Sequence, residues 1–112
     1  MKKVEAIIRP EKLDEVKEAL SKNWINRLTN SHVFGSGNQR GYIKVYRNVE
    51  FNAYFIPKMK VEVVVRDEDV DRVVEIITEM SRTGIIGDGK IVIAAVEDAV
   101  AIRTGNKGER GL

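Results

Sequence analysis

The stretch with the clearest chemical potential is TGIIGDGK at residues 83–90, which contains three glycines, an aspartate and a lysine. Gly84, Gly89 and Lys90 have nearly the spacing of a P-loop, the turn whose backbone N–H groups cradle a phosphate. A P-loop follows a strand and opens a helix, and a hydroxyl residue after its lysine contacts magnesium. Here the flanking patterns predict a helix first and then a strand that starts at the lysine, which Ile91 follows. The stretch is therefore not a P-loop, and the residues alone favour a helix-to-strand turn.

Residue types that could do other chemistry are scarce. The chain has no cysteine, which excludes disulfides, thiolate metal sites and cysteine nucleophiles. Its one histidine is His32. Ser31 is adjacent, but neighbouring side chains on a strand point to opposite faces, so the pair cannot form a serine–histidine relay. No carboxylate–histidine cluster indicates a metal site. We expect no catalytic residues and interpret His32 as structural.

Composition indicates one globular domain over residues 1–112, with 43% apolar and 32% charged side chains. A net charge of +2 is too balanced for a dedicated nucleic-acid binder. No stretch approaches the ~20 apolar residues of a membrane span, and the apolar run near the N-terminus is too short for a signal peptide. We expect a cytoplasmic protein without membrane insertion. The small size of the domain favours an oligomer.

An internal repeat predicts the fold. Residues 4–20 (VEAIIRPEKLDEVKEAL) and 61–77 (VEVVVRDEDVDRVVEII) share seven identical positions at an offset of 57. Each copy begins with the alternation of a strand and continues with the apolar spacing of a helix, which Asp67 can cap in the second copy. A further strand is predicted after each helix, over about 29–35 and 90–96. The order βαββαβ predicts an α+β ferredoxin-like sandwich, with both helices on one face of the sheet.

The other face of this sheet is predicted to be half apolar. Strand alternation sends one set of side chains toward the helices, namely Val4, Ala6, Ile8, Val61, Val63 and Val65. It sends the alternate set outward, namely Glu5, Ile7, Glu62 and Val64. Ile7 and Val64 would leave apolar surface bare in a monomer. This face is either an ordinary half-apolar surface or, as we favour, packs against other subunits.

A long insert, residues 35–58, separates the two copies. Its apolar residues recur at Ile43 and Val45 and again within 49–55, with residues 47–48 between the runs, which indicates a protruding hairpin. Five of the seven aromatic residues of the chain lie in this insert. Aromatic side chains on such an arm suit contact with a partner. The alternative is a hairpin that folds back on its own domain or on the other subunits of a trimer.

Five stretches together carry a family resemblance over residues 1–110: MKKVEAIIRPEKLDEVKEAL, GSGNQRG, FIPKMKVEVVV, RTGIIGDGKI and VEDAVAIRTGNKGE. The chain resembles the nitrogen-regulatory PII signal-transduction family. The resemblance implies a ferredoxin-like homotrimer whose three clefts between subunits bind ATP or ADP competitively, and bind 2-oxoglutarate together with Mg²⁺ and ATP. It also implies a T-loop over about 36–56 and a flexible C-terminal tail over about 104–112. The segment FGSGNQRG resembles a nitrogenase-associated branch, and the archaeal ammonium-transporter-associated branch is the other possibility.

The resemblance also implies site residues, position by position. An adenine nucleotide would contact Ile7, Thr29, Gly35, Gly37, Asn38, Gln39, Glu62, Val64, Gly87, Asp88, Gly89, Lys90 and Arg103. 2-Oxoglutarate would contact Gln39, Arg40, Gly41 and Lys58. Gln39 would help to hold Mg²⁺, only together with ATP and 2-oxoglutarate. The TGIIGDGK stretch would thus belong to a nucleotide site across a subunit boundary, where Lys90 supplies a point charge.

The chain departs from the family pattern at several positions. Asn38 and Ala101 stand where the family usually carries arginines that reach the phosphates, so we expect weaker nucleotide binding or poor discrimination between ATP and ADP. Phe51 stands at the tyrosine that is uridylylated in many bacterial members, and Val49 at a nearby position phosphorylated in some relatives. Modification by those routes is therefore not expected. Tyr54 replaces a more usual acidic residue and makes the arm more apolar.

These features lead us to expect a sensor of adenine nucleotides and 2-oxoglutarate. Its T-loop would act on an ammonium transporter or on an enzyme or regulator of nitrogen metabolism. The alternative within the fold is a divergent nucleotide sensor that has lost the 2-oxoglutarate response and regulates another transporter or enzyme. An enzyme is disfavoured because the sequence offers no acid–base constellation. A metal-tolerance trimer of similar fold is also disfavoured, because the chain lacks cysteine and has a single histidine.

Overall fold

The computed structural model describes residues 1–35, 43–46, 49–52 and 56–112. Its regular elements, in chain order, are β1 (Lys2–Ile8), α1 (Leu13–Lys22), β2 (Thr29–Gly35), β3 (Ile43–Tyr46), β4 (Val49–Asn52), β5 (Ile56–Val65), α2 (Val70–Ser81) and β6 (Lys90–Ala95). Short 3-10 helices precede both α-helices, at Pro10–Lys12 and Asp67–Asp69, and another spans Gly108–Gly111. The two predicted copies of a strand–helix unit are therefore present.

The main sheet has the strand order β2-β5-β1-β6, with every neighbouring pair antiparallel. The two strands that open the repeat copies, β1 and β5, lie at its centre. This order, with two helices between the strands along the chain, confirms the predicted α+β ferredoxin-like fold. The strand predicted over 29–35 has those bounds, and the strand predicted over 90–96 ends one residue earlier.

The core lies between the helices and one face of this sheet. Its strand residues are those that alternation had predicted, each at most 7% exposed: Val4, Ala6, Ile8, Val61, Val63 and Val65. The helices contribute buried side chains at helical spacing: Val16 and Leu20 from α1, and Val70, Val73 and Ile77 from α2. Burial of this apolar surface is the main term that holds the two layers together.

Both helices start in the same way. Arg9 and Arg66 have extended backbone, and a 3-10 turn that follows each one leads into the α-helix. Pro10 begins the first turn, where its missing N–H costs nothing. The prediction that Asp67 caps α2 is wrong, because Asp67 lies inside the turn and its carboxylate instead accepts a hydrogen bond from the Met1 ammonium at 2.9 Å.

The predicted hairpin in the insert is confirmed for the backbone that the structure describes. β3 and β4 pair antiparallel from Ile43 opposite Asn52 to Tyr46 opposite Val49. β5 begins at Ile56, five residues before the strand expected from the repeat. Pro57 is tolerated in it because the ladder with β1 ends at Met59, so the missing N–H of the proline faces no partner strand on that side.

The C-terminal segment packs against the body of the domain. The carboxylate Oδ1 of Asp98 accepts hydrogen bonds from the N–H groups of Ala99 and Gly108, at 2.8 and 2.9 Å. The Arg27 guanidinium donates to the carbonyl oxygen of Leu112. The Asp98 contacts hold the segment together, and the Arg27 contact connects it to the residues just before β2. The flexibility expected over 104–112 stays a prediction.

Candidate functional site

The open face of the sheet, which the helices do not cover, carries many of the predicted site residues. Residues directly opposite each other on paired strands share a face. Glu62 on β5 lies opposite Thr29 on β2, and Ile7 on β1 lies opposite Lys90 on β6. Alternation along each strand adds the remaining members of this face: Gly35, Lys58 and Val64. One surface therefore holds seven residues that the sequence predicted for nucleotide or 2-oxoglutarate.

Charges on this face pair diagonally between β1 and β5. The Lys3 ammonium lies 3.3 Å from the Glu62 carboxylate, and the Lys60 ammonium lies 3.7 Å from that of Glu5. No sequence motif marks Lys3, but strand alternation places it on the same face as Ile7. Exposed ion pairs of this kind stabilise a fold by only ~0–1 kcal/mol. Of the two, only the pair with Lys3 involves Glu62, one of the predicted site residues.

A groove of about 300 Å³ lies at the end of the open face near the C-terminal segment. Thr29, Glu62 and Val64, which were predicted to contact a nucleotide, line it together with Lys3 and Arg27. The C-terminal residues Ala99, Gly111 and Leu112 close one of its sides. The groove thus joins two distant parts of the sequence in one surface.

Residues 82–89, which follow the C-terminal end of α2, form a turn that we call the glycine loop. The Asp88 carboxylate ties its two ends together. Oδ2 accepts hydrogen bonds from the N–H groups of Thr83 and Gly84, both at 2.9 Å. Oδ1 accepts from the Thr83 hydroxyl and from Nε of Arg9, the latter at 3.3 Å. These donors, the Thr83 hydroxyl foremost, hold the pKa of Asp88 well below its usual range.

Two cations bind carbonyl oxygens on one side of the glycine loop. Arg9 Nη2 donates to the carbonyl of Ile86 at 3.0 Å, and Lys58 Nζ donates to the carbonyl of Gly87. In a trans peptide unit the C=O and the N–H point in opposite directions. The N–H groups of Gly87 and Asp88 therefore point away from these cations.

The N–H groups of Gly87, Asp88 and Gly89 donate to no acceptor in the part of the chain that the structure describes. Successive N–H groups of this kind form a concavity that binds anions. Glycine is required here, since φ is +108° at Gly87 and +97° at Gly89. A Cβ at Gly89 would lie 1.7 Å from the carbonyl oxygen of Ile7, so the loop backbone is pressed against β1.

Lys58 lies on the carbonyl side of the Gly87 peptide and is only 8% exposed. Burial, and next the neighbouring Arg9 guanidinium, lower the pKa of its ammonium group. No carboxylate within the described ranges forms an ion pair with Lys58. The Glu11 and Asp88 carboxylates act on this ammonium only from beyond ion-pair distance, so a directly bound anion would stabilise its charge. The arrangement therefore suits an anionic ligand at Lys58 as well as at the loop.

The remaining predicted residues are not brought to this surface. Arg103 is exposed in a turn of the C-terminal segment, where Ala101 donates its N–H to Asn106 at 2.9 Å. His32 is exposed on β2. Six positions fall outside the described residues: Gly37, Asn38, Gln39, Arg40, Gly41 and Tyr54. For Val49 and Phe51 the structure describes the β4 backbone only.

Two absences hold for the described ranges. No group of three or more histidine or carboxylate side chains there is placed to hold a metal ion. No helix there combines the length and the apolarity that crossing a membrane requires.

The fold and the loop together define a class of protein: a ferredoxin-like α+β domain that carries, beside its open sheet face, a glycine loop with N–H groups that no described residue accepts from. The family model described as nitrogen regulatory protein P-II matches residues 1–106. The chain is 51% identical to the nitrogen regulatory protein P-II of Azospirillum brasilense over 108 residues, 96% of each chain. It is also 51% identical to that of Rhodobacter capsulatus, over 97% of each chain, and 50% identical to that of Pasteurella multocida, over 97% of each chain. The chain belongs to the P-II family of nitrogen regulatory signal-transduction proteins.

Two glycine substitutions test the close packing of the loop. Gly84→Ala places a Cβ in open space at φ +84° and should cost only the backbone strain, about 1–2 kcal/mol. Gly89→Ala adds an overlap with the Ile7 carbonyl, which brings a further ~1–3 kcal/mol. Urea unfolding at one fixed protein concentration measures both free energies of unfolding. An equal loss of unfolding free energy in the two variants would contradict the close contact between Gly89 and the Ile7 carbonyl.

The depressed pKa of Asp88 predicts a pH dependence of stability. A carboxyl whose pKa is lowered by folding stabilises the native state above its unfolded pKa of about 3.9, and this contribution is lost as pH falls toward the folded pKa. The wild type should therefore exceed Asp88→Asn in stability at pH 7, and the difference should shrink progressively below about pH 5.

Urea midpoints of both proteins between pH 7 and pH 3 measure this difference. The matched control is Asp14→Asn, an exposed carboxyl at the start of α1. A wild-type advantage that stayed constant over this pH range would show that the ionised carboxylate does not hold the loop.

Proposed function

We propose that the chain is a P-II signal-transduction protein that senses adenine nucleotides and regulates nitrogen assimilation. The observation that carries this proposal is the row of N–H groups at Gly87, Asp88 and Gly89 that donate to no acceptor among the described residues, beside Lys90 and the half-buried Ile7. The N–H groups and the lysine offer donors to phosphates. Ile7 and Val64 offer apolar surface to a purine, and Glu62 offers an acceptor to its amino group.

The site is incomplete in one chain, which favours an assembly. Lys90 is on the edge strand β6 and Thr29 is on the other edge strand, β2. Three strand spacings of ~4.8 Å separate these edges, so the two residues are ~14 Å apart across the sheet. Exposed apolar side chains on and after β6, at Val92, Ile93 and Val100, suit burial against another subunit. A homotrimer with nucleotide sites between subunits would bring Thr29 and Arg103 of one subunit to Lys90 of the next.

2-Oxoglutarate is the proposed second ligand. Lys58 would bind one of its carboxylates in a direct ion pair, a contact that this buried ammonium makes with no described carboxylate. Gln39, Arg40 and Gly41 would complete the site, and Gln39 would contact Mg²⁺ when ATP is bound. The 2-oxoglutarate site and the nucleotide site would then share the Gly87 peptide region.

Asn38 and Ala101 should limit affinity for the phosphates. A charge-assisted hydrogen bond contributes about 1.5–3 kcal/mol, and the usual arginines at these two positions are missing. We propose that ATP and ADP bind more weakly than in relatives with both arginines, or with little preference between them.

The protein would regulate its partner through the T-loop, which contains β3 and β4 and lies between β2 and β5 in the sequence. The bound ligands would select among T-loop conformations with different affinity for a partner, and the partner would in turn change ligand affinity. The partner class is an ammonium transporter or an enzyme or regulator of nitrogen metabolism, met in the cytoplasm. The chain itself would not be an enzyme, and Phe51 would not be uridylylated.

Titration calorimetry with ATP, ADP and 2-oxoglutarate, singly and combined, tests this function on protein whose mass is checked by light scattering. We expect a mass of three chains, one nucleotide per chain, and 2-oxoglutarate binding only with Mg-ATP. Lys90→Gln should weaken nucleotide binding by about tenfold or more, because a charge-assisted hydrogen bond is lost. Lys58→Gln should abolish 2-oxoglutarate binding.

Lys17→Gln removes an equal charge from the exposed side of α1 and serves as the control. A monomer, or a trimer that binds neither nucleotide, would contradict the proposed function. Nucleotide binding without any 2-oxoglutarate binding would favour the divergent sensor that responds to adenine nucleotides alone.

A further inference from the structure

We infer that Arg9 and Thr83 are positioning residues for anion binding, and that they act together with the carboxylate of Asp88 as a brace behind the glycine loop. This inference rests on the proposed function, because the anion is the nucleotide phosphate. The brace would keep the N–H groups of Gly87, Asp88 and Gly89 turned outward before any ligand arrives. Its members would contact the loop and not the phosphate.

Thr83 is the centre of the brace at the start of the loop. Its N–H donates to Oδ2 of Asp88 at 2.9 Å, and its hydroxyl donates to Oδ1 of the same carboxylate. The hydroxyl oxygen also accepts from the N–H of Ile85 at 3.2 Å. One side chain thereby fixes both the closure of the turn and the direction of the peptide that follows it.

Arg9 connects the brace to the sheet. It follows β1 directly, with extended backbone at φ −65° and ψ 137°, and its side chain is 18% exposed. Nε donates to Asp88 at 3.3 Å and Nη2 donates to the Ile86 carbonyl at 3.0 Å. A planar guanidinium reaches two acceptors in a fixed geometry, which an ammonium group cannot do. Arg9 thus sets the position of the loop relative to Ile7 and the open face.

Each oxygen of the Asp88 carboxylate accepts two hydrogen bonds within this network. It receives hydrogen bonds from Thr83 N–H, the Thr83 hydroxyl, Gly84 N–H and Arg9. Its negative charge would repel a phosphate if the side chain faced the ligand. Asp88 therefore contributes to the proposed site through its backbone N–H, while its side chain acts only on the loop.

Four variants test the brace, with ATP and ADP affinity measured by calorimetry and amide hydrogen exchange of Thr83, Gly84 and Ile85, whose N–H groups the brace binds, measured without nucleotide. Thr83→Val removes the hydroxyl and should weaken nucleotide binding by about tenfold and speed exchange in the loop. Thr83→Ser retains the hydroxyl and should stay within about twofold of the wild type. Arg9→Lys keeps the charge but loses the two-point contact, and should resemble Thr83→Val.

Ser21→Ala is the control, because it also deletes an exposed side-chain hydrogen bond, from Ser21 to Asn26 at 2.7 Å, on the far side of α1. It should change neither affinity nor exchange in the loop. Unchanged affinity and exchange in both Thr83→Val and Arg9→Lys would overturn the brace. Failure of Thr83→Ser to restore wild-type behaviour would also count against it, since the retained hydroxyl would then be irrelevant.

The two proposals can fail separately. If the wild type bound neither ATP nor ADP, the proposed function would fail. Amide exchange would still decide whether Thr83 and Arg9 hold the loop: faster exchange than in Ser21→Ala would support the brace, and equal exchange would overturn it. If Thr83→Val did not fold, the comparison of Arg9→Lys with Thr83→Ser would carry the test.

Discussion

The planarity of two peptide units is the constraint on which the candidate site depends. Arg9 and Lys58 bind the carbonyl oxygens of Ile86 and Gly87, so the attached N–H groups must point the other way. Positive φ angles at Gly87 and Gly89 allow the chain to hold this orientation. The two cations therefore lie on the carbonyl side of these peptide units, and the N–H groups face the opposite side. A turn that is not a P-loop would in this way offer backbone donors to the phosphate of the proposed nucleotide.

The sheet register places this loop beside the open sheet face that carries the other predicted site residues. Lys90 lies opposite Ile7, and Glu62 lies opposite Thr29, so the open face carries donors, acceptors and apolar side chains in one plane. The ion pairs on this face are partly exposed and contribute little to stability. Burial of the opposite face against α1 and α2 contributes far more, about 25 cal/mol per Å² of apolar surface. One face of these strands thus supplies most of the stability, and the proposed ligand site lies on the other face.

The sequence predicted most of the fold because its two repeat copies carry clean strand and helix periods. It did not predict that β5 starts at Ile56, since Pro57 normally argues against a strand and only the end of the β1 ladder permits it. The local pattern predicts Asp67 as a helix cap, because it cannot show that the Met1 ammonium binds the Asp67 carboxylate instead. Arg9 was missed for a related reason, because its partner Asp88 lies 79 residues away and only the tertiary fold joins them. Thr83 lies within the same short stretch as Asp88, but a local pattern does not show that its hydroxyl donates to that carboxylate.

A crystal structure of the chain grown with ADP tests the central claim most directly. The account predicts three copies around an axis, with a phosphate oxygen within hydrogen-bond distance of the N–H groups of residues 87–89 and of the Lys90 ammonium. The Asp88 carboxylate should remain turned inward on Thr83. Phosphates bound elsewhere, or a loop whose carbonyls rather than N–H groups face the ligand, would contradict the account.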